Sequence, residues 1–272
     1  MNIRTAAVVA AVVAAFGLQL LYAGRATAQD SAPHAGGMDM DRALRTFVLA
    51  NQMEVQTGVA DRPVNFEVLG WFGGDYKRLY LRAQGVQPTT IARGAELQGD
   101  LLMGRLISPF WSVVAGVRVD TRPSAESLGF HRTASNDVIA STARVTRGML
   151  AVGFVGLAPG WFELEPTFFV SQDGDVSTEI ESSIDLLLTQ RLILQPRAEI
   201  NAAVQSVREF GIGSGINSVE VEARLRYEIR RKFAPYVGVS WDRTTGGTAA
   251  LARSNGVPLG GASLTAGIRV WR

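Results

Sequence analysis

The stretch SVEVEARLRYEIR, residues 218–230, decides the fold because its polar and apolar side chains alternate strictly. Its even-numbered positions are polar or charged: Ser218, Glu220, Glu222, Arg224, Arg226, Glu228 and Arg230. Its odd-numbered positions are apolar: Val219, Val221, Ala223, Leu225, Tyr227 and Ile229. A period of two is typical of a β-strand, since successive side chains point to opposite faces. The strand belongs either to a soluble sheet with its charges in water, or to a membrane barrel with its charges in the lumen.

The same alternation recurs along the chain, in segments separated by turn residues. We interpret twelve segments as strands: 50–58, 64–72, 77–85, 95–103, 111–120, 147–157, 161–170, 177–188, 195–203, 218–230, 235–242 and 263–271. Their length is close to the roughly 9–11 residues with which a strand crosses a bilayer. With an even number of crossings, the last strand ends on the side of the membrane where the first strand begins.

The connections between these segments fall into two groups when they are taken alternately. Those after even-numbered segments are short: GGDY, ISPF, APGW, TQRLIL and RRKFAP. Those after odd-numbered segments include three long ones, 121–143, 206–217 and 243–262, beside the short ADRP and QDGD. Outer-membrane barrels have short turns at one end and longer loops at the other, and this separation is not expected of a soluble sandwich. The sequence therefore predicts an all-β, antiparallel outer-membrane β-barrel of about twelve strands.

The first residues predict export from the cytoplasm. Arg4 precedes a long apolar run, and Ala26 and Ala28 have the spacing of a signal-peptidase site. The alternative is an uncleaved anchor helix, because the apolar run is long enough to span a bilayer. We predict a signal peptide at 1–28, a flexible N-terminal tail at 29–45 and a transmembrane barrel at 46–272, in the outer membrane of a Gram-negative cell.

Composition excludes several classes of function. The chain has no cysteine, so thiolate chemistry and cysteine-based zinc sites are excluded. The net charge is +2, which does not favour nucleic acid as a partner. The two histidines, His34 and His131, fall in the predicted tail and in a predicted loop. Since no G-x-S-x-G phrase is present either, we expect neither an enzyme nor an organic cofactor.

Carboxylates concentrate on the predicted lumen face of neighbouring strands. They are Glu163, Glu165, Glu179, Glu181, Asp185, Glu220 and Glu222. Such a wall concentrates cations and offers oxygen ligands. The same carboxylates could instead pair with lumen arginines, among them Arg82, Arg118, Arg197 and Arg224, and hold the barrel rigid. We expect a mixture, in which most carboxylates pair with arginine and a few remain for ions.

Five phrases together resemble one known family. They are GGDYKRLYL (73–81), SPFWSVVAGVRVD (108–120), VGLAPGWFELEPT (155–167), DLLLTQRLILQPRAEIN (185–201) and GIGSGINSVEVEARLRYEIRRKFAPYVGVSWDR (211–243). In content and order they are similar to the copper resistance protein B family of outer-membrane barrels, and the resemblance extends from about residue 39 to the end of the chain. It implies copper binding, as Cu(I) or Cu(II), and a role in copper transport, resistance or homeostasis.

The resemblance also implies partners and a second metal-binding segment. The implied partners of a monomeric barrel are outer-membrane lipid, copper, and a periplasmic multicopper oxidase or copper chaperone. Family members carry a tail rich in Met and His, of which this chain keeps His34, Met38, Asp39 and Met40. Thioether sulfur suits Cu(I) and imidazole suits either oxidation state, so these side chains are candidate ligands for one labile ion.

Two alternatives stay open at this point. The tail could be a linker that binds no metal. The depletion of Met and His in the tail also favours a structural or general small-solute barrel without copper specificity.

Overall fold

The computed structural model describes residues 44–58, 63–87, 95–123 and 144–272. Within these ranges the chain forms thirteen strands. They are β1 (Arg45–Thr57), β2 (Val64–Gly73), β3 (Lys77–Gln87), β4 (Glu96–Ser108), β5 (Trp111–Pro123), β6 (Arg144–Ala158), β7 (Phe162–Ser171), β8 (Val176–Ser183), β9 (Leu186–Leu187), β10 (Leu192–Ala203), β11 (Gly215–Tyr227), β12 (Phe233–Thr244) and β13 (Ala262–Trp271).

The sheet closes on itself. Every pairing between neighbouring strands is antiparallel, and β1 pairs with β13, with Leu49 opposite Trp271. Both β8 and β9 pair with β10, so these two short strands form one interrupted barrel strand. The described residues therefore build a closed barrel of twelve strands, which confirms the predicted fold class.

The interruption lies at Ile184 and Asp185, inside the segment 177–188 that the sequence predicts as one strand. There the Ile184 amide donates to the carbonyl oxygen of Pro196 on β10, at 3.2 Å. Pro196 has no amide hydrogen with which to return a bond, which explains why regular pairing breaks at this place.

The barrel has an apolar outside and a polar inside. Along β6, Leu150 and Val152 are 64% and 53% exposed, and along β12 Val237 and Val239 are 59% and 53% exposed. The inward positions are charged and buried, as with Glu67, which is only 2% exposed. This distribution is the reverse of a soluble protein and suits an exterior that contacts lipid.

A register shift in β1 changes which side chains enter the lumen. Between Ala50 and Gln52 the pairing with β2 slips by one residue. Leu49 is therefore buried before the shift, whereas Gln52 and Glu54 are buried after it. The sequence predicts the inward side chains after the shift, but it does not predict that the apolar Leu49 also points inward.

The two ends of the barrel differ in their connections, as predicted. One end has the turns 74–76, 109–110, 159–161, 188–191 and 228–232. The other end has the long connections 124–143, 204–214 and 245–261 beside shorter ones. By the rule for outer-membrane barrels the short-turn end is periplasmic and the long-loop end is extracellular.

Two of the long connections contain helices that the sequence does not predict. The connection 204–214 contains a 3-10 helix at Arg208–Phe210. The connection 245–261 contains α1 (Gly246–Ser254), which begins after Thr245. Among the described residues, no helix is long and apolar enough to cross a membrane.

Candidate functional site

The predicted carboxylates of the lumen lie on one stretch of the barrel wall, from β7 to β11. Glu163 and Glu165 lie on β7, Glu179 and Glu181 on β8, Asp185 between β8 and β9, and Glu220 and Glu222 on β11. The predicted tail ligands His34, Met38, Asp39 and Met40 lie outside the described residues. The structure thus brings the lumen set to one side of the barrel interior.

Five acidic side chains form a row across this wall, which we call the acidic row: Glu165, Glu181, Glu199, Glu220 and Asp242. Glu165 lies opposite Glu181, Glu181 opposite Glu199, Glu199 opposite Glu220, and Glu220 opposite Asp242. Like charges directly opposite one another repel and destabilise a sheet. The row therefore requires compensation from other groups or from bound cations.

Arginines compensate one end of the acidic row. Arg82 on β3 reaches across the lumen and forms a salt bridge with Glu165, and its Nη1 lies 3.7 Å from Glu181. Arg197 on β10 lies 2.8 Å from Glu181 through its Nε and 3.3 Å from Glu199 through its Nη2. These guanidinium groups balance the first three members of the row.

At the other end of the row, the described residues provide no such arginine. Within the described part of the chain, no salt bridge joins Glu220 or Asp242 to a basic side chain. Glu222, the next inward residue on β11, is instead held by Arg224 at 2.6 Å and Arg197 at 3.7 Å. Ionic compensation therefore decreases along the row.

A second ion-pair group lies beside the row. Arg118 on β5 makes paired contacts with Asp100, at 2.6 and 2.9 Å, and with Glu179, at 2.7 and 3.1 Å. Its guanidinium carbon lies 3.9 Å from the centre of the Phe169 ring. Such planar, two-pronged contacts fix both side chains of each pair, so this part of the lumen is structurally locked.

A third group links β1 to β11 and β12 across β13, next to the seam where β1 pairs with β13. The Tyr236 hydroxyl donates to Glu54 at 2.8 Å, and Arg224 Nε lies 3.7 Å from the same carboxylate. With its amide oxygen turned toward the guanidinium groups, Gln52 accepts from Arg197 and Arg224, each at 2.6 Å. Tyr236 fits because Gly267 lies beneath it, where an added Cβ would be 2.6 Å from the hydroxyl oxygen.

Two of the cavities in the lumen differ in their chemistry. The outer cavity, of about 210 Å³, faces the long loops and is lined by acidic side chains that include Glu96, Asp120, Glu199, Glu220 and Glu222. The inner cavity, of about 380 Å³, faces the short turns and is lined by aromatic and aliphatic side chains that include Phe47, Trp71, Tyr80 and Phe169. Because Glu165 lines the inner cavity and Glu199 and Glu220 line the outer one, the acidic row joins the two.

A loop residue that the sequence does not single out packs against arginines at the outer end. Phe210, in the 3-10 helix, is buried, and its ring lies 4.6 Å from the guanidinium of Arg147 and 5.6 Å from that of Arg122. Aromatic side chains in loops are common, so no sequence signal distinguishes this one. Phe210 thus packs against Arg147, which pairs with Asp120 at 3.5 Å.

None of the described residues forms a group of three or more His, Asp or Glu side chains with the spacing of a metal site. What the row offers chemically is a series of carboxylate oxygens, of which those of Glu220 and Asp242 have no basic partner in the described part of the chain.

The whole described barrel matches one family. Residues 44–272 match the family described as copper resistance protein B precursor. The chain belongs to this family. Its description as a precursor agrees with the predicted signal peptide, whose cleavage after Ala28 stays a prediction. Membership in the copper resistance protein B family and the closed barrel together place the chain in the outer membrane.

Two curated relatives show the same similarity. Copper resistance protein B of Escherichia coli is 38% identical over 231 residues, which cover 85% of this chain and 71% of that protein. The copper resistance protein B homolog of Pseudomonas syringae pv. tomato (strain ATCC BAA-871 / DC3000) is 35% identical over 238 residues, which cover 88% of this chain and 74% of that protein.

Solved structures of barrels are more distant. The NanC porin has a TM-score of 0.49 and 10% identity, covering 83% of this chain and 99% of its own. The outer-membrane OmpT of Vibrio cholerae has a TM-score of 0.41 and 8% identity, covering 88% of this chain and all of its own. The strand pairing of this chain itself establishes the closed barrel.

Proposed function

We propose that this barrel contributes to copper resistance by concentrating copper ions in its lumen and moving them along the acidic row. Family membership supports the link to copper. One observation supports the path: five carboxylates from β7 to β12 lie side by side, and the row joins the outer cavity to the inner one. The role is non-catalytic, and copper is the cargo.

A cation could move along the row because arginines neutralise only some of its carboxylates. A fully paired carboxylate holds its arginine, whereas Glu220 and Asp242 lack a basic partner among the described residues. Carboxylates that face a narrow, low-dielectric passage attract cations by electrostatic focusing. Copper would enter at this end and be exchanged from one carboxylate to the next, without a closed coordination site.

The remaining predicted ligands keep more limited roles. Glu163 and Asp185 are exposed near the short-turn end, where Asp185 pairs with Arg226 at 2.7 Å. We propose that Glu163, Glu165, Glu179, Glu181, Asp185, Glu220 and Glu222 shape the field of the lumen. His34, Met38, Asp39 and Met40 would then exchange copper with a periplasmic oxidase or chaperone.

A test begins with copper content. The mature chain, refolded in detergent, is loaded with Cu(II) or Cu(I), desalted and measured by mass spectrometry. We expect the double variant Glu199→Gln/Glu220→Gln to retain several-fold less copper than the wild type. The control Asp173→Asn removes an exposed charge at the same end, outside the cavity lining, and should retain the wild-type amount. Deleting residues 29–43 separates the contribution of the tail.

Copper tolerance of living cells provides the second readout. In a strain lacking its own family member, the double variant should restore growth on copper less well than the control does. Equal retention and equal tolerance in wild type, double variant and control would exclude the acidic row as the copper path.

One observation favours the alternative of a general small-solute barrel. Most lumen carboxylates are paired with arginine, and the described residues form no group with metal-site spacing. If the barrel passes sugars or amino acids in liposome swelling assays and copper tolerance does not depend on it, this alternative is correct.

A further inference from the structure

The outward face of the barrel carries two cations in direct opposition. Lys77 on β3 and Arg105 on β4 are cross-strand partners, and both are exposed. Since side chains on each strand alternate, the same face of β4 carries Leu101, Met103 and Ile107, the exposed apolar surface of the barrel. Both cations therefore lie on the lipid side of the wall rather than in the lumen.

This pair has no anionic partner in the described residues. The carboxylate closest in sequence, Asp75, lies 3.5 Å from Arg45 and makes no salt bridge with Lys77 or Arg105. Two like charges in directly opposed positions destabilise a sheet. Within the described part of the chain no carboxylate pairs with either cation, so the position is open to an anion from outside the protein.

The position of the pair indicates what that anion is. Lys77 is the first residue of β3, and Arg105 is close to the end of β4, so both lie at the short-turn, periplasmic rim. Tyr76 and Phe110, each 57% exposed, flank them. Aromatic side chains at this depth mark the level of the lipid headgroups.

We propose that Lys77 and Arg105 bind the phosphate of an anionic phospholipid in the periplasmic leaflet. Two adjacent cations match the charge and the several acceptor oxygens of a phosphodiester. Met103 and Leu101 continue from the pair toward the middle of the barrel wall and contact the acyl chains. The site requires the outer-membrane location of the barrel but not its proposed role with copper, so either can fail without the other.

Native mass spectrometry of the detergent-refolded mature chain can test this site. The lipid probe is phosphatidylglycerol, with zwitterionic phosphatidylcholine as the comparison. We expect the wild type to retain a phosphatidylglycerol molecule in preference to phosphatidylcholine. The variant Lys77→Gln/Arg105→Gln should bind phosphatidylglycerol about 10- to 30-fold more weakly, since each cation near a headgroup contributes roughly one decade or less.

A matched control removes the same charge from the same end of the barrel. Arg230→Gln/Lys232→Gln changes two exposed cations in the turn 228–232 and should keep wild-type binding of phosphatidylglycerol. Folding of every variant is verified by heat-modifiable migration in SDS gels. Full binding by folded Lys77→Gln/Arg105→Gln would overturn the proposal, as would an equal loss in the control, which would indicate diffuse attraction to a basic rim.

Glycerol 3-phosphate distinguishes a lipid site from a site for free phosphate. We expect it to displace phosphatidylglycerol only at concentrations far above that of the lipid, because the acyl chains contribute to binding. Displacement at equal concentration would show that the headgroup anion alone is recognised and would exclude a lipid site.

Discussion

The two ends of the acidic row contain the same kind of side chain in different surroundings. At the inner end, Glu165 and Glu181 are clamped by Arg82, and Glu181 is also held by Arg197. At the outer end, Glu220 and Asp242 face each other without a basic partner in the described residues. The difference shows that carboxylates of one row can differ in whether arginine neutralises them, and it is this difference on which the proposed cation path rests.

The largest expected effect comes from removing the clamp at the inner end. Arg82→Met leaves Glu165 and Glu181 beside each other without their shared cation. Breaking a buried ion pair in this way costs about 3–5 kcal/mol, because an uncompensated charge remains. The free energy of unfolding, measured by urea titration in lipid or detergent, should fall by about that amount.

The variant Arg82→Lys separates the contribution of the positive charge from that of the two-pronged guanidinium contact. It keeps the positive charge but loses the planar fork, so it should be less destabilising than Arg82→Met. A loss below about 0.5 kcal/mol in Arg82→Met would contradict the view that the inner end is clamped.

A glutamate-to-glutamine exchange at each end gives an intermediate effect and a direct comparison. Glu181→Gln removes a charge that bonds two arginines and should cost about 1–3 kcal/mol of unfolding free energy. Glu220→Gln removes a charge whose two directly opposed neighbours, Glu199 and Asp242, are both acidic, and its effect should stay within about 0.5 kcal/mol or be stabilising. Equal losses in the two variants would remove the distinction between the ends.

The smallest expected effect concerns salt. Raising ionic strength from about 0.15 M to 1 M shortens the screening length to about 3 Å and weakens the repulsion between Glu220 and Asp242. The wild type should gain a few tenths of a kcal/mol relative to Glu220→Gln under the same conditions. An identical response to salt in both proteins would show that the outer end is already neutralised.

The strands were accessible to sequence reasoning because one rule governs all of them. A wall between lipid and a polar lumen imposes alternation on every strand, so the twelve segments could be located without knowing their partners. The same rule placed Glu165, Glu181 and Glu220 on the inner face. It failed where the backbone departs from regular pairing, at the register shift after Ala50 and at the interruption at Ile184.

The contacts of the site were not accessible in the same way. Arg82 and Glu165 are 83 positions apart in the chain, and they meet across the lumen because of the curvature and stagger of the whole barrel. Alternation gives the face of a side chain but not its height along the barrel axis. The acidic row therefore required the register of five strands, which no local pattern contains.

The interruption between β8 and β9 affects how the wall resists lateral separation. Here the Ile184 amide donates to the carbonyl oxygen of Pro196, which has no amide hydrogen to donate in return. The number of backbone hydrogen bonds between the strands is therefore reduced. The same stretch is crossed on the inside by Asp185 with Arg226 and by Glu181 with Arg197, so charged side chains act as cross-links between strands. Separating the strands at this point would therefore require breaking ion pairs inside the lumen. Few backbone hydrogen bonds would need to break.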